Sequence, residues 1–225
     1  MQNDSNKLIF TEDIDYSQTG TISSWGEGDP ETLILLQKLI NEKKISGYWL
    51  NFAAGDGRYN NLLLSSANRL LATDIDLNAL EKLKSVTPEN LIEKLTTAQQ
   101  DITEPFPFTD KSFDGVFNTG TLHLFPKDIL SKITGEVARV LKQRGLYIFD
   151  FATDVKRERS DGTLVGRSET VYKHEETREI FSKLLKQYSF EFEFIAGTVL
   201  PEEVTSGDGT YLFSCNYWII VATKL

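Results

Sequence analysis

The sequence predicts a doubly wound α/β fold: a mostly parallel, seven-stranded sheet with an antiparallel C-terminal edge strand and helices on both faces. Three observations predict it. Between Tyr48 and Phe151, short apolar runs alternate with segments of helical periodicity, as parallel strands joined by crossover helices require. The first of those runs leads directly into Gly55-Asp56-Gly57, a sharp strand-to-helix turn. Near the C-terminus two strand-like segments lie too close together for a crossover helix, so they should pair antiparallel.

The elements follow in order. Residues 1–28 read as an irregular leader and possible lid, because Thr19, Gly20, Thr21, Ser23, Ser24, Gly26 and Gly28 fill it with turn formers around the aromatic Tyr16 and Trp25. Residues 29–225 read as one domain. Asp29 then Pro30 has the form of an N-cap and first helical residue, and Leu33, Leu36 and Ile40 continue a helix towards Lys44. Strands are predicted at Tyr48 to Ala53, Arg69 to Thr73, Leu95 to Gln100, Phe113 to Asn118 and Leu146 to Phe151. Between them lie helices at Arg58 to Ala67, Leu77 to Ser85 and Lys127 to Lys142, with a short helical piece after Pro88. A polar stretch follows Asp150, then a helix from Glu175 to Tyr188. The last strands are Phe190 to Gly197, where Phe alternates with Glu as on a half-buried face, and Tyr211 to Ala222.

Composition narrows the function. The 225 residues, 40% hydrophobic and 25% charged, supply a sizeable core. A formal net charge of −9 repels nucleic acids and anionic membranes. One cysteine, Cys215, and two histidines, His123 and His174, are too few for a disulfide framework or a zinc site, so no metal is expected and a reducing, cytoplasmic setting is. No apolar run approaches the roughly 18 residues of a membrane span. His174, opening a helix with Glu175 and Glu176, reads as exposed, and Cys215 as packing.

In an open α/β sheet, ligands bind beyond the carboxyl ends of the strands. Polar groups stand at all five of the predicted parallel strand ends: Gly55-Asp56-Gly57, Asp74, Asp101, Asn118-Thr119-Gly120 and Asp150. Asp56 and Asp76 also suit helix caps. Asp74 lies where a ribose-binding acid is expected after the glycine turn. A dinucleotide fingerprint would carry a third glycine where Asn60 stands, which disfavours a nicotinamide oxidoreductase. The pattern suits a nucleoside ligand without pyrophosphate, of which S-adenosylmethionine is the common one.

These segments resemble the class I, Rossmann-like methyltransferases that use S-adenosylmethionine. Tyr48-Trp-Leu-Asn-Phe-Ala-Ala-Gly-Asp-Gly-Arg-Tyr59 is similar to the family's glycine-rich first motif and Leu71-Ala-Thr-Asp-Ile-Asp76 to its second. Gln100 to Phe108, Ser112 to Asn118, Leu122 to Pro126 and Glu136 to Phe149 match later segments in order. The resemblance implies that Asn51, Ala53, Gly55 and Gly57 line the methionine end of the cofactor, and that Asp74, with Ile75 beside it, accepts the ribose hydroxyls. It further implies that Asp101 receives the adenine amine beside Ile102, and that the Asn118 carbonyl helps hold the methionyl ammonium. Asn51 stands where the family commonly has an acid, and Ala53-Ala54 replaces an often glycine-containing pair.

For chemistry the candidates are His123, after the fourth strand, and Asp150, at the end of the fifth; either suits deprotonation or binding of an acceptor. Tyr16 and Trp25 are candidates for covering the site. The expected activity is methyl transfer to a small-molecule acceptor. The alternative is a catalytically inactive S-adenosylmethionine- or nucleotide-binding regulatory protein, suggested by Asn51 and the two alanines.

Overall fold

The computed structural model describes residues 16, 28–166, 170–206 and 209–225, without the side chains of 205 and 206. Helix α1 (Pro30–Asn41) precedes β1 (Tyr48–Phe52), α2 (Asn60–Ser66), β2 (Arg69–Asp74), α3 (Leu77–Val86), the single turn α4 (Glu89–Ile92) and β3 (Leu95–Gln99). Then come β4 (Phe113–Asn118), a short 3₁₀ turn (Leu122–Leu124), α5 (Lys127–Val140), β5 (Leu141–Glu158), α6 (His174–Gln187), β6 (Phe190–Ser206) and β7 (Gly209–Lys224).

The seven strands form one sheet in the order β3-β2-β1-β4-β5-β7-β6. Pairing is parallel from β3 to β5, and β7 runs antiparallel to both β5 and β6. The C-terminal strand is thus the antiparallel one, set one place in from the edge that β6 occupies. Chain order reverses between β1 and β4, so the crevice between their carboxyl ends is the topological switch point.

Period-two alternation divides the core. Leu50, Phe52, Val116, Tyr147 and Phe149 face α5 and α6. Trp49, Phe117 and Ile148 face the other way, onto Leu35, Leu36 and Leu39 of α1 and Leu63 and Leu64 of α2. The buried stripe of α1 therefore runs through Thr32, Leu35, Leu36 and Leu39, while Leu33 and Ile40 lie at its margins.

The last three strands are longer than the sequence pattern predicts. Strand β5 begins at Leu141, immediately after α5, and continues past Phe151 to Glu158, so the start of the expected polar loop is strand. Register shifts mark the extensions, at Thr153/Lys156 in β5, where Asp154 has φ 50, and at Val199/Glu202 around Pro201 in β6. Pro cannot donate to a ladder, and it sits here on the edge strand at an irregularity, where no donor is needed. The polar periodicity hid these extensions because both faces of the ribbon are partly solvated.

Candidate active site

The glycine loop after β1 is wound tightly. Gly57 N–H donates to the Ala54 carbonyl at 3.0 Å and Asn60 N–H to the Gly57 carbonyl at 2.8 Å. Gly57 has φ 85, and a Cβ there would lie 2.8 Å from Leu83, so neither the backbone angle nor the space admits a side chain. Ala53 takes a left-handed φ of 47 without being glycine.

Asp74, at the end of β2, ties this loop to the next. Its Oδ2 accepts Gly55 N–H at 2.7 Å and its Oδ1 accepts Asp76 N–H at 3.0 Å. Burial pushes the Asp74 carboxyl above the ordinary carboxylate range, against the pull of the Asp76 and Gly55 amides. A carboxylate has about four lone-pair positions, so two remain for hydroxyl donors. Asp76 caps α3 through Asn78 N–H at 2.8 Å, as expected. The neighbouring Ile75 is half-buried, and its carbonyl accepts from Gln99 Nε2 at 2.9 Å.

At the end of β3, Asp101 is partly exposed, and its Oδ1 accepts from both the backbone and the hydroxyl of Thr103, at 2.9 and 2.6 Å. Those bonds fix the turn that buries Ile102. Arg139 of α5 braces the following loop, with Nη1 donating to the Phe108 carbonyl at 2.7 Å and Nη2 to the Phe106 carbonyl at 2.9 Å. Glu136 accepts from both Arg139 and Phe106 N–H.

Neutral amides occupy the centre. Asn51 Nδ2 donates to Asn60 Oδ1 at 2.6 Å, with both residues buried. Asn118 Nδ2 donates to the Phe52 carbonyl at 2.8 Å, and its buried Oδ1 has no hydrogen-bond partner among the described residues.

On the far side of the switch point, Asp150 Oδ1 accepts Gly120 N–H at 2.6 Å. Gly120 has φ 70 and open space where a Cβ would stand. The Asp150 carboxyl is partly reachable from solvent but surrounded by packed protein. Burial chiefly pushes it up to about 7; Asp29 adds to this, and the Gly120 amide and Arg58 oppose it. His123 lies on the short 3₁₀ turn after β4, its ring edge-on to Phe151 with centroids 6.4 Å apart. Tyr16 is 9% exposed. Of the proposed lid only Tyr16 and Gly28 are described, and Trp25 lies outside the described residues.

Several residues have other roles than the sequence indicates. Asp29 precedes α1 but its side chain makes no cap; it accepts the Tyr59 hydroxyl at 2.9 Å, while its own N–H donates to that hydroxyl at 2.8 Å. With Arg58 3.8 Å from Asp29, this group acts electrostatically on Asp150 and was missed because nothing in the spacing joins residue 29 to residue 59. Asp56 is a buried ion-pair partner of Lys82 instead of a cap. Lys82 had one legible signal, a lysine on the apolar face of its helix between Ala79 and Leu83. His174 is not simply exposed: its ring stacks on Trp218 with centroids 3.9 Å apart and Nδ1 lies 3.0 Å from Thr153 Oγ1. Cys215 is buried, as expected, and burial pushes its thiol up to about 12.

Residues 50–149 match the family described as "Methyltransferase domain". This stretch is similar to a methyltransferase domain. It runs from within β1 to within β5 and takes in Gly55, Gly57, Asp74, Asp101 and Asn118, while Asp150 lies one residue beyond it. The YcgJ protein of Bacillus subtilis has a similar fold, with a TM-score of 0.63 and 16% identity over 84% of this chain and 97% of that one. So does the magnesium protoporphyrin IX methyltransferase of Synechocystis PCC 6803, with a TM-score of 0.62 and 16% identity over 87% of this chain and 82% of that one. An uncharacterized protein of Haemophilus influenzae is 35% identical over 75 residues, which is 33% of this chain and only 30% of that protein's length. Among the described residues no helix is long and apolar enough to cross a membrane.

Proposed function

We propose that this methyltransferase methylates a small-molecule acceptor held beyond the carboxyl ends of β4 and β5, with Asp150 as the general base. The observation that carries this reading is the Asp150 carboxyl itself. It stands on the acceptor side of the switch point, is oriented by Gly120 N–H, and has a proton affinity suited to base chemistry near neutral pH.

The donor groups fit the cofactor. Asp74 keeps two acceptor positions for the two ribose hydroxyls, and Ile75 borders them. Asp101 keeps Oδ2 for the adenine amine, with Ile102 against the ring. Gly55 and Gly57, with Ala53 and Asn51, would line the methionine end, where Gly57 lies so close to Leu83 that a Cβ would meet it at 2.8 Å. Asn118 would face the methionyl ammonium with its carbonyl. When bound, S-adenosylmethionine supplies an electrophilic methyl on a sulfonium that departs as a neutral thioether. Asp150 would take up the proton that the acceptor gives up on receiving the methyl. Holding the acceptor in line and keeping water out would supply much of the acceleration. His123 would bind the acceptor beside Phe151.

The net charge of −9, and a fold similar to that of a porphyrin methyltransferase, support a small molecule over a nucleic acid. The buried thiol of Cys215 is compatible with a cytoplasmic setting. Incubation with isotopically labelled S-adenosylmethionine and a metabolite extract, followed by mass detection, tests the reading. A labelled small molecule that disappears with Asp150→Asn supports it. Tight cofactor binding without any labelled product would favour the regulatory alternative.

A further inference from the structure

We infer that the buried Lys82–Asp56 ion pair is a positioning device that holds the glycine loop in its cofactor-binding shape. Lys82 Nζ lies 3.1 Å from Asp56 Oδ2, and the two side chains are 6% and 0% exposed. Asp56 is the middle residue of Gly55-Asp56-Gly57, so its carboxylate points away from the ligand face and into the protein. The inference rests on the reading of this loop as the cofactor cradle.

A buried ion pair is a poor way to gain stability, because desolvating both charges offsets most of their attraction; its best-attested use is to fix one geometry among several. The surroundings show which geometry. Lys82 and Leu83 are consecutive on α3, and they engage Asp56 and Gly57, which are consecutive in the loop. The first residue before α3, Asp76, donates its N–H to Asp74 Oδ1, and Asp74 Oδ2 accepts Gly55 N–H. The chain of contacts closes on itself: loop to Asp74, Asp74 to the start of α3, and the middle of α3 back to the loop. Rotating the loop by one peptide would break both the ion pair and the Gly55–Asp74 bond. The pair thereby acts on the cofactor through Gly55 and Asp74 without touching it.

Four proteins test this: wild type, Lys82→Met, Lys82→Arg, and the double variant Asp56→Asn/Lys82→Gln, which replaces the pair by two neutral amides and guards against a fold lost to a stranded charge. The readouts are calorimetric affinity for S-adenosylmethionine and for S-adenosylhomocysteine, melting temperature, and hydrogen exchange at the Gly55 and Gly57 amides against the Val116 and Phe117 amides of β4. Lys82→Met and the double variant should lose at least tenfold in affinity for both ligands. Exchange should quicken at Gly55 and Gly57 while β4 stays protected. Lys82→Arg should remain within threefold of wild type. Affinities unchanged in folded variants, whatever their melting temperatures, would make the pair merely structural and overturn the inference. So would equal losses in Lys82→Arg and Lys82→Met. If wild type bound neither ligand, the cofactor reading would fail on its own, and the exchange comparison would still decide whether the pair holds the loop.

Discussion

Replacing Asp150 by Asn should stabilise the protein above neutral pH and leave it nearly unchanged in mild acid. Packed protein raises the Asp150 carboxyl from 3.8 to about 7, while an Asn oxygen would still accept Gly120 N–H. An acid whose folded value lies above its unfolded value holds an extra proton when folded between the two. Its contribution to stability is therefore fully present below about pH 4 and is lost as the pH rises through about 7. At about 1.4 kcal/mol per unit the ceiling is roughly 4 kcal/mol. The carboxylate is partly exposed, and solvent screening reduces this to about 1–2 kcal/mol. For a chain of this length that corresponds to roughly 2–8 °C in melting temperature. Thermal melts of both proteins from pH 5 to 8.5 measure it. The Asn variant should gain steadily on wild type through neutrality, and its turnover should fall by about 10²–10⁴ once an acceptor is in hand. An offset that does not vary with pH, or a variant less stable than wild type at pH 8, would refute the reasoning.

Three further outcomes follow from the same geometry. Asp74→Ala should weaken S-adenosylmethionine binding by roughly tenfold to a hundredfold in a folded protein, since charge-assisted hydrogen bonds contribute about 1.5–3 kcal/mol each; unchanged calorimetric affinity would move the ribose elsewhere. Asp101→Ala should weaken S-adenosylmethionine and S-adenosylhomocysteine by similar factors, because both carry the same adenine, and loss of the first alone would show that Asp101 senses the sulfonium. Ala53→Gly should raise the melting temperature by about 1–4 °C, because relief of a left-handed alanine, roughly 1–2 kcal/mol, exceeds the added chain entropy of glycine; a lower melting temperature would show that the Ala53 methyl is needed for packing.

The central sheet was legible because β1, β2 and β4 are buried on both faces and read as apolar runs against amphipathic helices. Phe113–Asn118 is found where the pattern places it, and β1, β2 and β3 differ by a residue at one end. The ribbon of β5, β6 and β7 was only half legible, since strands solvated on both sides lose the alternation that identifies them, and Pro201 and Gly209 read as loop. At the site, each strand-end residue could be named because topology alone fixes where strand ends converge. What the sequence left hidden were partners brought together across elements. Tyr59 on Asp29, Lys82 on Asp56 and His174 on Trp218 each join segments whose separation carries no periodic signal.

The two halves of the sheet use one device twice. In the first half, Asp74 at the end of β2 reaches back to Gly55 in the loop after the adjacent β1; in the second, Asp150 at the end of β5 reaches back to Gly120 in the loop after the adjacent β4. Both glycines have positive φ, 54 and 70, which turns the amide towards the neighbouring strand. Both carboxyls are pushed up by burial and pulled down by that amide. The difference lies in the second contact. Asp74 also accepts Asp76 N–H and is fixed from two sides, as a group that must present lone pairs to hydroxyls without moving requires. Asp150 has the single loop amide and an open space over Gly120, which suits a group that must gain and lose a proton. With the roles proposed for them, the number of amides that hold each aspartate would separate binding from proton transfer, across the switch point where β1 and β4 part.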